Sequence, residues 1–416
     1  MIAQRWIRII PAALMVYTIS YVDRTNVSLA MDRRISTMLP DLAMDDRMKG
    51  AAAGIFFFGY LLMQVPGGYI AQRWSAKKFI SLCLVGWGAA AICCGLVHTS
   101  GQFAASRFLL GFSESGVFPA MMVMIARWFP PGERVRATAL FCMSQPLAVA
   151  VSAPITGWCL GAYGWRAMLI AEGALPMLWL PIWWFLVSDR PEDARWLSSE
   201  EGARIEVGME KEMEIGEATT PIRLWQVLLR WEVILLVVIC MVIAGYSYGC
   251  MTFFTSSLRN RQFTGLEYGL LFSVPYLAAI PLMMFISWHS DLKRERRGHV
   301  ALLLGISGIC LILNVVANDH FWLSYAFICL AIPGPFAALA PFFVIPAEIF
   351  PKKFLGPLIG TVNAIGGLGG FFGPYFVGSL TNVYHSVSVP FILLGIAMFA
   401  AGAFALLLPN SKRFGI

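Results

Sequence analysis

Gly68-Tyr69-Ile70-Ala71-Gln72-Arg73, continuing to Lys77-Lys78, and Trp288-His289-Ser290-Asp291, continuing to Arg296-Arg297, are two basic loops that each close a long apolar run. Gln72 aligns with Asp291 at an offset of 219 residues. Further on, Trp128-Phe129-Pro130 precedes Arg134 and Arg136 as Ile349-Phe350-Pro351 precedes Lys352 and Lys353, an offset of 221. Pro154 matches Pro374 at an offset of 220. Three independent motifs at one offset make the chain a duplication of two related halves.

Each half is built for lipid. Of the 416 residues, 58% are hydrophobic and 13% are charged, about half the roughly 25% charge of a soluble domain. The apolar residues fall in runs near the length of about 20 residues that a helix needs to cross a bilayer. This composition excludes a soluble globular enzyme, a disordered protein and a nucleic-acid binder. The formal charge of +7 does not point to a polyanion, because the basic residues are dispersed among short loops. The nine cysteines lie in apolar runs without CxxC spacing and are expected to be small buried hydrophobes, not disulfides or zinc ligands. Met1 to Ile10 is short and basic and leads straight into an apolar segment, expected to act as an uncleaved insertion signal.

Twelve segments qualify as spans: 9–30, 50–71, 78–98, 103–126, 138–160, 167–188, 232–257, 268–289, 300–317, 321–347, 356–380 and 389–409. Backbone polar groups in lipid must bond internally, so these are helices. The expected fold is an all-α polytopic membrane protein, with twelve transmembrane helices in two pseudo-symmetric six-helix bundles. Residues 1–188 form one bundle, 231–416 the other, and 189–230 a cytoplasmic linker. The linker holds ten acids, with the run Glu200, Glu201, Glu206, Glu210, Glu212, Glu214, and reads as a soluble helix on the inner surface. It is too short for a catalytic domain. Lys and Arg number 22 on the side of the termini and 7 on the other, which sets both termini in the cytoplasm. Two parallel halves are a transporter architecture, with the substrate between them near mid-membrane.

The duplicated loop resembles the signature of the major facilitator superfamily, although Gln72 stands where the family usually has an acid. Span 1 reads Tyr21-Val22-Asp23-Arg24-Thr25-Asn26, and span 4 runs from Arg107 through Gly111, Glu114 and Gly116 to Pro119. With Ser290-Asp291 through Glu295-Arg296-Arg297 and His299, these are similar to the anion:cation symporter family over the whole chain. That family includes carriers of galactonate and other sugar acids, tartrate, phthalate and vesicular glutamate.

Charges at the bilayer centre are unfavourable by about 2.5–3.5 kcal/mol and mark pathways when they persist. The candidates are Asp23, Arg24, Arg107 and Glu114, all in the first half, whereas the positions that repeat Asp23 and Arg24 fall near Ala244 and Gly245. The first half is therefore expected to handle ions and a charged substrate group. Tyr17, Tyr21, Arg24 and Ser28 form one helical stripe. Arg24 on that stripe suits a bidentate hold on a carboxylate, helped by tyrosine hydroxyls. Arg107, Gly111 and Glu114 share a face of span 4, so Arg107 is expected as the partner of Glu114. A static ion-pair network between spans 1 and 4 is the alternative. The resemblance implies that Asp23, Arg24 and Glu114 serve coupling and anion binding, with protons as the coupling ion and no cofactor or metal.

The resemblance also places Tyr60, Gln145 and Asn363 toward the substrate, and Phe343 in Ala340-Pro341-Phe342-Phe343 where sugar-acid carriers often have Trp. A hydroxyl is missing at Ala340, so the pocket is expected to be less polar than in those carriers. Tyr246, Tyr248 and Thr252 are candidates to line the second half. His289, His299 and Glu348 read as gate residues, and His98, His320 and His385 as solvated. The whole reads as a monomeric inner-membrane transporter importing an organic anion, a sugar acid first, with protons. The alternatives are a proton-driven exporter of lipophilic compounds, an organic-anion exchanger and a non-transporting receptor. A membrane-embedded enzyme would need a metal or nucleophile cluster that the spans do not carry.

Overall fold

A computed structural model describes residues 4–215, 227–257, 263–293, 295–350 and 352–409. Each of the twelve expected spans is helical. Span 1 is Gln4–Ala30, span 2 Asp46–Arg73 and span 3 Ala76–Leu96. Span 4 is Ser100–Glu114 followed by Val117–Trp128. Span 5 starts as Pro131–Cys142 and continues into Ser144–Leu186, whose second part is span 6. In the other half, spans 7, 8 and 9 are Trp231–Ser257, Gly265–Lys293 and Arg297–Val316. Span 10 is Phe321–Ala331 plus Pro333–Ile349, span 11 Lys352–Gly366 plus Gly369–Tyr384, and span 12 Ser388–Leu407.

Among the described residues, eight helical segments are long and apolar enough to cross a membrane, or nine with bent span 2. One of them, Leu140–Leu186, carries spans 5 and 6 together. Spans 1 and 11 fall outside that criterion: span 1 holds Arg5, Arg8, Asp23 and Arg24, and span 11 is interrupted after Gly366.

Local chemistry sets the helix starts. Asp45, Ser75 and Thr99 accept the backbone N–H groups of Met48, Lys78 and Gln102, capping spans 2, 3 and 4. Gly164 divides span 5 from span 6 with φ 77° and ψ 171°, a conformation open essentially to glycine. The next residue, Trp165, donates its indole N–H to Asp41 Oδ2 at 2.8 Å and fastens this turn to the loop after span 1.

Lipid offers no hydrophobic drive between helices, so close packing must hold them. Between the halves it does so at four symmetric places, all toward the face away from Gln4 and Leu407, hereafter the distal face. A Cβ on Gly157 of span 5 would meet Gly265 O of span 8 at 2.0 Å, and one on Gly269 would meet Ala153 O at 2.3 Å. In the repeat, a Cβ on Gly378 of span 11 would meet Asp46 O of span 2 at 2.3 Å, and one on Gly50 would meet Pro374 O at 2.3 Å. Gly50 and Gly269 are 219 residues apart and Gly157 and Gly378 are 221 apart, so the two seams are copies of each other. Arg47 donates to the Tyr375 hydroxyl at 3.1 Å, Lys49 lies over the Phe253 ring and Arg34 over Tyr268, all between the halves at this face.

The first part of the linker docks on the first half. Arg5 donates to Glu133 and Glu201, and Trp196 stacks on Trp128 at 5.1 Å. A helix covers Ser199–Ile215. Residues 216–226 and the side chains of Glu210, Glu212, Glu214, Arg134, Arg136, Lys352 and Lys353 lie outside the described residues.

Candidate functional site

Glu114 ends the first helix of span 4, just before Ser115-Gly116, and its side chain meets span 1. There Glu114 Oε1 accepts three donors: Ser20 Oγ at 2.6 Å, Arg24 Nε at 2.9 Å, and Arg24 Nη2 in the closest contact of the three. Glu114 Oε2 is buried and makes no hydrogen bond. The Arg24 fork thus closes on a single carboxylate oxygen, and both side chains are buried. The rest of the guanidinium is boxed by aromatic rings, with Tyr60 at 4.6 Å, Tyr21 at 4.7 Å and Phe56 at 5.1 Å. These contacts supply cation–π stabilisation that water cannot compete with here. Its remaining arm, Nη1, donates to the Tyr248 hydroxyl at 3.2 Å, and Tyr248 OH lies 3.1 Å from Tyr21 OH. Tyr248 belongs to span 7, so the cationic centre of one half is tied to the other.

The expected pairing of Arg107 with Glu114 is corrected. Arg107 donates from Nη1 to the Asp23 backbone carbonyl at 3.3 Å and lies over Phe56 at 5.0 Å. Sharing a face along span 4 aligned Arg107 with Glu114 in angle. The approach of span 1, which brings Arg24 onto Glu114, decided the partner. Asp23 is buried, and its Oδ2 makes no hydrogen bond.

Gln145 reaches the site through Tyr17, whose hydroxyl accepts from its Nε2 at 3.5 Å. Tyr60 stacks on Phe56. Tyr248 and Thr252 line a small cavity with Arg24, Ser28, Phe56 and Arg107, of volume about 10 Å³, room for about one water. The site is closed around its arginine. Phe343, half-buried and packed edge-on to Phe342, and Asn363, half-buried on span 11, lie outside that lining. Tyr246 is also outside it: its hydroxyl turns into the second bundle and donates to Ser307 O at 3.0 Å. Gly245, the repeat mate of Arg24, lies where a Cβ on Gly373 would meet its carbonyl at 2.1 Å. Where one half places a charge, the other packs backbone on backbone.

One buried acid escaped the sequence reading. Glu172 Oε1 of span 6 lies 3.2 Å from Thr156 Oγ1, which also meets Asn26 of span 1. A lone carboxyl in the apolar stretch from Ala167 to Leu186 was signal enough to single it out. At the face opposite the distal one, His289 Nδ1 and His299 Nε2 are 2.8 Å apart, His299 Nδ1 is 2.8 Å from Glu295 Oε2, and Arg296 bonds to Glu348.

The sequence model of the Major Facilitator Superfamily matches residues 13–346 and 259–414. A protein named "Putative tartrate transporter" from Agrobacterium vitis is 30% identical over 390 residues, covering 91% of this chain and 84% of its own. The quinolone resistance transporter of Acinetobacter baumannii is 27% identical, covering 94% and 91%. The D-galactonate transporter of Escherichia coli O6:H1 is 24% identical, covering 95% and 94%. Among solved structures, a bacterial homolog of the human lysosomal transporter Spinster, inward-facing and occupied, superposes with a TM-score of 0.75 at 16% identity. It covers 97% of this chain and 96% of its own, and shares the fold. These relatives fit the anion:cation symporter branch that spans 1 and 4 resemble. The chain belongs to the Major Facilitator Superfamily and is a membrane transporter, not an enzyme.

Proposed function

We propose that this transporter carries a small organic anion, a sugar acid first, together with protons across the inner membrane into the cell. The observation that carries the reading is the Arg24–Glu114 pair, buried and boxed by rings, with Tyr248 of the other half on its free arm. An anion can hold Arg24 only by displacing Glu114. A displaced, ionised carboxylate in this dry site would be unpaired, which is strongly unfavourable. Protonation of Glu114 removes that penalty and frees Arg24 for a substrate carboxylate. Proton and anion therefore enter together. Asp23 is the second proton-binding carboxyl, beside Arg107, and Tyr21, Tyr60, Gln145, Phe343 and Asn363 sort the substrate's hydroxyls and carbon frame as the halves rock.

The relatives named for tartrate and galactonate favour the sugar-acid class. With both termini cytoplasmic, the distal face is periplasmic, and the seams described above close the outer side. Two protons moving with a monoanion carry one net positive charge inward, worth about 2.3 kcal/mol per 100 mV. The relative named for quinolone resistance supports a second reading, proton-driven export.

The test is uptake into proteoliposomes under an imposed inward proton gradient, using labelled tartrate, galactonate, glucarate and aromatic acids. The expected result is gradient-dependent accumulation of one anion, lost in Arg24→Ala, with Glu114→Gln keeping exchange but losing accumulation. Normal uptake by Arg24→Ala, or quinolone efflux with no anion uptake, would overturn it.

A further inference from the structure

Glu172 is a carboxyl that the proposed cycle does not use, and its surroundings are built to hold it in two states. Thr156 Oγ1 lies 2.5 Å from Asn26 Oδ1 and 3.2 Å from Glu172 Oε1. A hydroxyl has one proton to donate and accepts through its lone pairs. With Thr156 donating to Asn26 Oδ1, the contact to Glu172 is a hydrogen bond only if Glu172 is protonated and donates. With the Asn26 amide turned, Nδ2 donates to Thr156, and the hydroxyl proton passes to an ionised Glu172. Either way the two contacts of Thr156 are hydrogen bonds, and turning one amide and one hydroxyl exchanges the two states.

Two further observations place the triad in a pathway. Asp23 and Asn26 are one helical turn apart on span 1, so they share a face. Along that face Asp23 Oδ2, Asn26 Nδ2 and Glu172 Oε2 are all buried without a hydrogen-bond partner, which native interiors rarely tolerate outside functional sites. The groups facing Glu172 are Asp23 and Asn26 of span 1 and Thr156 and Cys159 of span 5. Thr156 is also the residue next to Gly157, whose backbone touches span 8 at the distal seam.

We propose that Glu172 is a third proton-binding carboxyl of the cycle, loaded from the distal side when spans 5 and 8 part, and coupled to Asp23 across Asn26. When the seam opens, water reaches within one residue of Thr156 and the Glu172 carboxylate takes its proton from it. When the seam closes, the proton is sealed in beside Asp23. The assignment rests on the proton-coupled reading above.

The experiment is infrared difference spectroscopy of the full chain in lipid nanodiscs, without substrate, titrated from mildly acidic to mildly alkaline pH. Wild type is compared with Glu172→Gln, Thr156→Val, Asp23→Asn and Glu114→Gln. The expected result is a protonated-carboxyl C=O band that titrates, with one component lost in Glu172→Gln and shifted in Thr156→Val. In deuterated buffer that component should exchange about tenfold faster when Gly157→Ala loosens the seam. If Glu172→Gln leaves the titrating band unchanged, or its component stays protonated throughout, the assignment is wrong and Glu172 keeps one protonation state. If Asp23→Asn and Glu114→Gln also leave the band unchanged, the proton-coupled reading falls with it. Glutamine is near-isosteric with glutamate, so loss of fold does not explain a lost component, and Thr156→Val reports on the same site by a shift instead of a deletion.

Discussion

Gly157→Ala should open the distal seam. A Cβ there would stand 2.0 Å from Gly265 O, whereas ordinary contact begins at 3.4 Å, so spans 5 and 8 are 1.4 Å too close for a methyl group. The obstructing atom is backbone, which cannot swing aside as a flexible side chain would. Overpacking of this kind is unfavourable by about 1–3 kcal/mol. The penalty falls only on the state in which the seam is closed, because parting the halves removes the neighbour. The equilibrium between closed and open distal faces should therefore move toward open by about 5- to 150-fold. Hydrogen exchange with mass spectrometry reads this directly. Amides at the distal ends of spans 5 and 8 should exchange faster by that factor, and those at the opposite ends of the same spans should gain protection. Gly50→Ala, placed 2.3 Å from Pro374 O in the repeat, should act in the same direction. Unchanged exchange at both seams in both variants would refute the idea that these glycines set the balance between states.

Arg24→Ala should destabilise the protein by about 3–5 kcal/mol, because it leaves Glu114 buried and unpaired; adding Glu114→Gln should restore most of the loss in thermal unfolding. Arg24→Lys keeps the charge but not the fork of Nε and Nη2 on one oxygen, and should lose anion uptake by more than about tenfold, since a lysine cannot copy a bidentate arginine. Gly164→Ala must adopt φ 77° and ψ 171° and should lower stability by about 1–3 kcal/mol, visible as a lower Tm with unchanged substrate selectivity. At the start of span 9, burial pushes the Glu295 carboxyl up, but the Gly298 N–H at 2.6 Å and the contacts of His299 outweigh it and hold it below the ordinary glutamate value. A lowered folded value means this stabilisation is present above about pH 4.3 and is lost as pH falls through the folded value. The Tm difference between wild type and Glu295→Gln should shrink over that acidic window and stay constant at neutral pH.

The spans and the duplication were legible because both are one-dimensional properties. An apolar run either reaches across a bilayer or does not, and a repeated motif keeps its offset wherever its helices go. The repeat extends further than the basic loops suggested, since Gly50 and Gly269, and Gly157 and Gly378, carry the same seams. The charged set Asp23, Arg24, Arg107 and Glu114 stood out for an equally local reason: a charge in an apolar run is too unfavourable to persist by accident. The same rule singles out Glu172, whose run carries no second charge to draw the eye.

Partners were a different matter. Helix periodicity gives the angle of a side chain around its own axis, and nothing about the rotation or depth of the next helix. Arg107 and Glu114 agree in angle, yet Glu114 pairs with Arg24, because span 1 comes within reach. Tyr246 and Tyr248, two residues apart on one helix, point to opposite faces by periodicity, but only packing decides that Tyr248 is the one that meets Arg24 while Tyr246 turns into the bundle. The sequence by itself determined which residues would be buried as helices, which would carry charge into lipid, and that the chain would fold as two like halves. Only the tertiary structure decided which charge meets which, where the halves touch and how tightly the site closes, because those depend on the close approach of backbones between helices far apart in the chain.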